Sequence, residues 1–110
     1  MTDVMTKATL SPARRRLIEL MQELNYGRIE GLQVQDGEPV FDPQPITLRL
    51  FVFGKDNGPN ESRGNDIFTL KKKMVELFEI FDRERTLSIQ EIIIDSGLSI
   101  RMMVASVARV

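Results

Sequence analysis

The sequence predicts an α+β domain, with two helices packed on one face of an antiparallel sheet in the order α-β-β(-β)-α-β-β. Three observations lead there. Apolar residues recur at helical spacing over 17–24 and again over 67–81. They alternate at strand spacing over 46–53 and on both sides of two glycine-containing turns. The pattern also occurs twice. Ile18-Glu19-Leu20-Met21 followed by Ile29-x-x-Leu32-x-Val34-x-x-Gly37-x-x-Val40 is echoed by Val75-Glu76-Leu77-Phe78 followed by Ile89-x-x-Ile92-x-Ile94-x-x-Gly97-x-x-Ile100. From Ile18 to Val75 is 57 positions, and from Ile29 to Ile89 is 60. The expected organisation is a flexible tail over 1–10 and one domain over 11–110, with half-repeats 11–53 and 65–107 joined by a polar loop over 54–64.

Ser11-Pro12 predicts the start of the first helix. The serine hydroxyl can cap a free amide, and proline lacks the N–H that the first turn would leave unpaired. Leu17, Leu20, Met21 and Leu24 form its inner stripe, and Gly27 is the expected left-handed stop. Next comes a hairpin over 28–41, with Gln35-Asp36-Gly37 as a three-residue turn that sets Leu32 opposite Val40. Pro39, Pro43 and Pro45 lack ladder donors, so the returning strand should be an edge or a broken strand. Over 46–53, Ile46, Leu48, Leu50 and Val52 should face the core, and Thr47, Arg49, Phe51 and Phe53 the other side. Asn65 or Asp66 should cap the second helix. Its stripe is Ile67, Leu70, Met74, Leu77, Phe78 and Phe81, widened by Phe68, Val75 and Ile80, which makes it the more buried helix. The last hairpin repeats the first turn at Asp95-Ser96-Gly97. This pairing places Ile92, Ile94, Leu98, Ile100 and Met102 on one face, with Glu91 opposite Arg101. The predicted core is Leu17, Leu20, Met21, Leu24, Leu32, Val34, Leu48, Leu50, Met74, Leu77, Phe81, Ile92, Ile94 and Ile100.

The alternation breaks at the same place in both copies, between Ile29 and Leu32 and between Ile89 and Ile92. Either each strand carries a bulge there, or the face opposite the core is also partly buried. The second option leaves Ile89, Ile93, Met103, Phe51 and Phe53 on the outer face, an apolar patch larger than a soluble monomer usually exposes. Two helices cannot cover both faces of the sheet. The expected function is therefore a non-catalytic interaction or assembly module, self-associating as a homodimer or binding a protein partner through these five residues. Cover by the N-terminal tail or the 54–65 loop is the bland alternative.

Composition narrows the chemistry. The 110 residues include no cysteine and no histidine, which excludes a disulfide frame, a thiolate nucleophile, a Cys/His zinc site and an imidazole base. No serine lies in a Gly-x-Ser-x-Gly elbow, and no phosphate-cradling glycine loop is present. Asp36, Glu38 and Asp42, and Asp56, Glu61 and Asp66, lack the ordered spacing of a calcium loop and read as solvated turn carboxylates. No enzyme, cofactor, metal or small-molecule substrate is expected. Fifteen basic and 16 acidic residues give a net charge of −1, which does not suggest a general nucleic-acid binder. The alternative nucleic-acid reading rests on two basic runs, Arg14, Arg15, Arg16 and Lys71, Lys72, Lys73. Phosphate binding needs such runs on one surface. No apolar stretch has the length of a signal peptide or a membrane span, so the cytoplasm is the expected compartment.

The repeated helix–strand–strand order resembles the duplicated layout of LAGLIDADG homing endonucleases. Those proteins pack their helices through small residues and end them in metal-binding acids. Here the helix interiors have no glycine, and the matching ends are Asn25 and Asp82, so no residue is carried over. The order is also similar to that of secretion-chaperone-like α+β dimers, which implies the alternative of a small export-chaperone-like dimer.

Overall fold

Ser11 and Pro12 start the first helix as their chemistry dictates. In the computed structural model, which describes residues 6–65 and 69–106, α1 runs Pro12–Leu24 with the Ser11 hydroxyl accepting from the Arg14 amide at 3.2 Å. Strands β1 (Gly27–Gln35), β2 (Glu38–Val40) and β3 (Ile46–Arg49) follow, then α2 (Lys72–Glu84), β4 (Leu87–Asp95) and β5 (Leu98–Ala105). The sheet is antiparallel and five-stranded in the order β2-β1-β4-β5, with β3 also paired to β1. The predicted class and element order are those observed.

The second half repeats the first with a uniform offset of 60: Pro12–Leu24 against Lys72–Glu84, and Gly27–Gln35 against Leu87–Asp95. The helical offset is thus 60 rather than 57, and it aligns Leu17, Ile18, Leu20 and Met21 with Leu77, Phe78, Ile80 and Phe81. The two halves meet along β1 and β4. Ile29 pairs with Ile92 and Leu32 with Ile89, and each pair becomes the other under the offset. The pairing is therefore pseudo-two-fold about a point between Glu30 and Gly31 on β1 and between Gln90 and Glu91 on β4. Each helix ends on a left-handed residue, Asn25 (φ 61°) and Arg85 (φ 67°), whose amide bonds to the carbonyl four residues back. Asn25, not Gly27, closes α1. Gly27 opens β1 and lies so close to β3 that a Cβ there would stand 2.0 Å from the Leu48 carbonyl oxygen.

Both hairpin turns have two residues rather than three. Asp36 and Gly37 (φ 53° and 77°) and Ser96 and Gly97 (φ 54° and 74°) take positive φ throughout, the type I′ geometry whose twist suits antiparallel strands. Gln35 therefore pairs with Glu38 and Val34 with Pro39, so the buried Pro39 takes the core position expected for Val40. In the last hairpin Asp95 pairs with Leu98 and Ile94 with Ser99. Ser99 is buried, its hydroxyl donating to the Lys73 carbonyl. An irregularity at Ile100 then restores the alternation, so Arg101 faces Ile93 and Met102 faces Ile92. Ile100 is displaced from the core, and Glu91 lies opposite Met103 instead of Arg101. Each turn is latched to the opposite half: the Gly37 amide donates to the Arg85 carbonyl at 2.8 Å and the Gly97 amide to the Asn25 carbonyl at 2.9 Å.

The break in alternation is resolved in the strands. A bulge falls between Ile89 and Glu91 relative to β5, and the edge opposite β1 changes from β2 to β3 at the same level. Ile29 and Ile89 consequently face the core with Leu32 and Ile92, and all four are buried. With them lie Leu17, Ile18, Met21, Leu24, Val34, Leu70, Met74, Leu77, Phe78, Phe81, Leu87 and Ile94, while Leu20 is half-buried against this cluster. Phe78 and Phe81 meet edge to face at 5.8 Å between ring centroids.

Three further expectations are corrected. Strand β3 covers only Ile46–Arg49 and has the opposite facing. Thr47 pairs with the core-facing Ile29, so Ile46 and Leu48 point outward with Glu30 and Arg28. Leu48 and Leu50 are exposed rather than core, because the chain re-enters from the prolines of 41–45 out of phase with a continuous strand. Helix α2 starts at Lys72, after Lys71, whose side chain does not cap it, and not at Asn65 or Asp66. Thr69 instead forms a bridge with Thr6, and Asp66, Ile67 and Phe68 lie outside the described residues. Helix α1 also buries Leu17, Ile18, Met21, Gln22 and Leu24, at least as much of its length as α2 buries with Met74, Leu77, Phe78 and Phe81.

Residues 6–10 are not a free tail. Lys7–Thr9 forms a 3-10 turn, and the Lys7 ammonium is fully buried. It donates to Glu19 at 3.1 Å, to the Gln22 side-chain oxygen at 2.6 Å and to the Ser62 carbonyl at 3.2 Å. A buried charge is tolerable only when it is paired and hydrogen-bonded in this way. It ties the N-terminal turn, α1 and the 54–65 loop together.

Candidate interaction surface

Both helices cover one face of the sheet, and the other face is open. Strand alternation arranges that open face in rows. Leu48, Arg28, Ile93 and Arg101 form one row across β3, β1, β4 and β5, and Ile46, Glu30, Glu91 and Met103 form the next. A third holds Val40, Gln33, Ser88 and Ala105, with Gln33 donating to the Ser88 hydroxyl at 3.2 Å. Ile46 is 60% exposed, Met103 64% and Leu50 56%, while Ile93 is half-buried between two arginines.

The charges on this face are arranged across the rows. Glu30 lies directly opposite Glu91, a like-charge pair that costs free energy across strands. Arg28 offsets it, reaching Glu30 at 3.1 Å and Glu91 at 3.8 Å. The row holding Arg28 and Arg101 is thus basic, and its neighbour holding Glu30 and Glu91 is acidic. At one end of the face a groove of about 580 Å³ opens between β3 and the last hairpin, walled by Tyr26, Leu48, Leu50, Ile93 and Ile100 with Arg101 at its side.

The residues expected on the outer face divide. Ile93 and Met103 are there. Ile89 is not: it is buried in the core, because the bulge turns it inward. Phe51 and Phe53 lie beyond the end of β3, at 57% and 98% exposure, and Phe51 carries the Arg49 guanidinium over its ring at 4.7 Å. The patch that forms instead holds Ile46, Leu48 and Leu50, because the break before β3 reverses the facing that an unbroken alternation predicts. The signal available was the proline triplet 39, 43 and 45, which marks a broken edge and so forbids carrying one alternation through it.

The two basic runs are not brought together. Arg14 is largely buried, stacked over the Phe78 ring at 5.1 Å and bonded to the Gly37 carbonyl at 2.8 Å and to Asp82. Arg16 lies over the Phe41 ring, and Arg15 is half-buried. Lys71, Lys72 and Lys73 are exposed at the start of α2. Because Arg14 touches Asp82 near the far end of α2, the runs are separated by most of the helix's length, about 15 Å.

Among the described residues no group of three or more potential ligands is placed to hold a metal ion, and no helix is long and apolar enough to cross a membrane. Glu38 accepts from Ser11 and stands 3.7 Å from Arg14, and Asp56 accepts from the Gly58 amide. These carboxylates serve local structure. No family model, no curated protein and no solved structure matches this chain.

Proposed function

We propose that this protein is a non-catalytic interaction and assembly module that self-associates through the outer face of its sheet. The observation that supports this is the uncovered face itself, with Ile46, Leu48, Leu50 and Met103 exposed around Ile93. Exposed apolar side chains gathered on one uncovered face, here interleaved with Arg28, Glu30 and Glu91, mark a contact site. The charge rows favour a second copy as the occupant. Laid face down with its rows reversed, another copy sets its Glu30 over Arg28 and its Ile46 over Leu48. Opposite charges then meet on β1 and the apolar residues of β3 pack together, with Met103 over Arg101 and Glu91 over Ile93. A two-fold contact of this type buries the same patch on both chains.

Sedimentation at high micromolar concentration should show a dimer or larger species. The double substitution Leu48→Glu with Ile93→Glu should weaken association about tenfold or more while leaving the circular dichroism spectrum unchanged. A wild-type chain that sediments as a monomer at that concentration overturns the proposal. So does a double variant that associates as the wild type does.

A further inference from the structure

The two edges of the sheet are built differently. The first is β2 and β3, three and four residues long, separated by a break over 41–45 and carrying Pro39, Pro43 and Pro45. Short strands, prolines and breaks are the devices that stop another strand from adding to an edge. The second edge is β5, eight residues without proline and with Arg101 as its one charge. Among the described residues, β5 pairs with β4 on one side and with no strand on the other. Its outer half is exposed, with Met103 at 64% and Val104 at 41%.

Beside this open edge, on the helix side, lies a groove of about 160 Å³ between β5 and α2. Leu77, Ile80, Ile100 and Met102 line it, with Lys73 and Glu76 on its α2 wall. A strand added to β5 would lay its inward side chains in this groove. We propose that the added strand is β5 of a second copy, paired antiparallel about a two-fold axis near Met103. This sets Met102 opposite Val104 and Arg101 opposite Ala105, so the single charge of the strand never meets itself. Met102 and Val104 face the helix side, level with Ile92 and Ile89, and Val104, opposite Met102, reaches the groove of the other copy. Main-chain hydrogen bonds supply the attraction and the groove fixes the register.

This inference rests on the reading that the chain self-associates, but it uses a different surface, so each contact can be broken alone. The chain lacks cysteine, so single cysteines report contacts cleanly. Val104→Cys lies on the helix side, where a face-to-face contact cannot bring it near its equivalent, and Leu48→Cys lies on the outer face. A short thiol cross-linker of about 8 Å reach, suited to diagonal cross-strand neighbours, should link Val104→Cys into dimers. Val104→Asp should weaken association about tenfold with the fold intact by circular dichroism. If Val104→Cys stays unlinked while Leu48→Cys links, edge pairing is overturned and the face contact stands. If neither links and the chain is monomeric, both are overturned and the β5 edge is left to a strand of another protein. Association of Val104→Asp at wild-type strength also overturns edge pairing.

Discussion

The two halves follow the same path and close it with different side chains. At the first turn the Gly37 carbonyl accepts from Arg14, which also binds Asp82 and covers Phe78. At the second, the Ser96 carbonyl accepts from Asn60 at 3.1 Å, and Asn60 also bonds Asn25 and, through its amide, the Gln22 carbonyl. One turn is thus sealed by a long cation from its own half's helix, and the other by a loop with no counterpart in the repeat. The position equivalent to Arg14 is Met74, a buried core residue. The lesson is that the pseudo-symmetry resides in main-chain hydrogen bonds and apolar positions. The polar side chains around it are free to differ, and the edges differ with them.

Three pairs of substitutions test that comparison. The largest effect is expected in the shared core. Phe81→Ala should cost about 3–5 kcal/mol and its equivalent Met21→Ala about 2–5 kcal/mol, both by chemical denaturation. Phe81 loses an edge-to-face partner that Met21 does not have, and a larger loss at Met21 would show that the first half is the better packed.

The seals come next. Arg14→Met, which copies the residue of the second half, should cost about 1–3 kcal/mol, because the Gly37 carbonyl loses its donor. Asn60→Ala should cost about 1–2 kcal/mol for the same reason at Ser96. Equal stability of Arg14→Met and wild type would mean that packing over Phe78, not the hydrogen bonds, closes the first turn. The smallest and most similar effects belong to the turn glycines. Gly37→Ala and Gly97→Ala should each cost about 1–2 kcal/mol, because both force a side chain into a left-handed position. A Cβ at Gly37 would stand 2.9 Å from the Arg85 guanidinium and one at Gly97 3.3 Å from the Asn60 amide. Both are flexible groups, so the two thermal midpoints should fall together, and a wide gap between them would break the equivalence of the turns.

Several features were legible in the residues. Ser11-Pro12 announced α1, the apolar spacing held in α1 and over Met74–Phe81 of α2 but not at Leu70, which precedes the helix, and the proline triplet marked the broken edge. The hairpins were placed but paired one residue out. Asp36-Gly37 and Ser96-Gly97 carry a two-residue turn, yet a straight ladder from that turn mixes apolar and charged residues on both faces of the last hairpin. The irregularity at Ile100 removes the conflict, and no local signal announces it. The outer surface was legible only in part for the same reason. Ile93 and Met103 follow from β4 and β5, whereas Ile46 and Leu48 depend on where the chain re-enters after 41–45.

Local chemistry by itself determined the α+β class, the order of the elements, the double unit and the positions of the turns, because caps, periodicity and turn residues act over a few neighbours. Tertiary structure alone decided the 60-residue register of the repeat, the inward turn of Ile29 and Ile89, the outward facing of Leu48 and the burial of Lys7 and Arg14. Side chains alternate every residue along a strand, so one bulge or one break reverses every face beyond it. Whether a strand bulges is settled by the partner strand and the core beneath it.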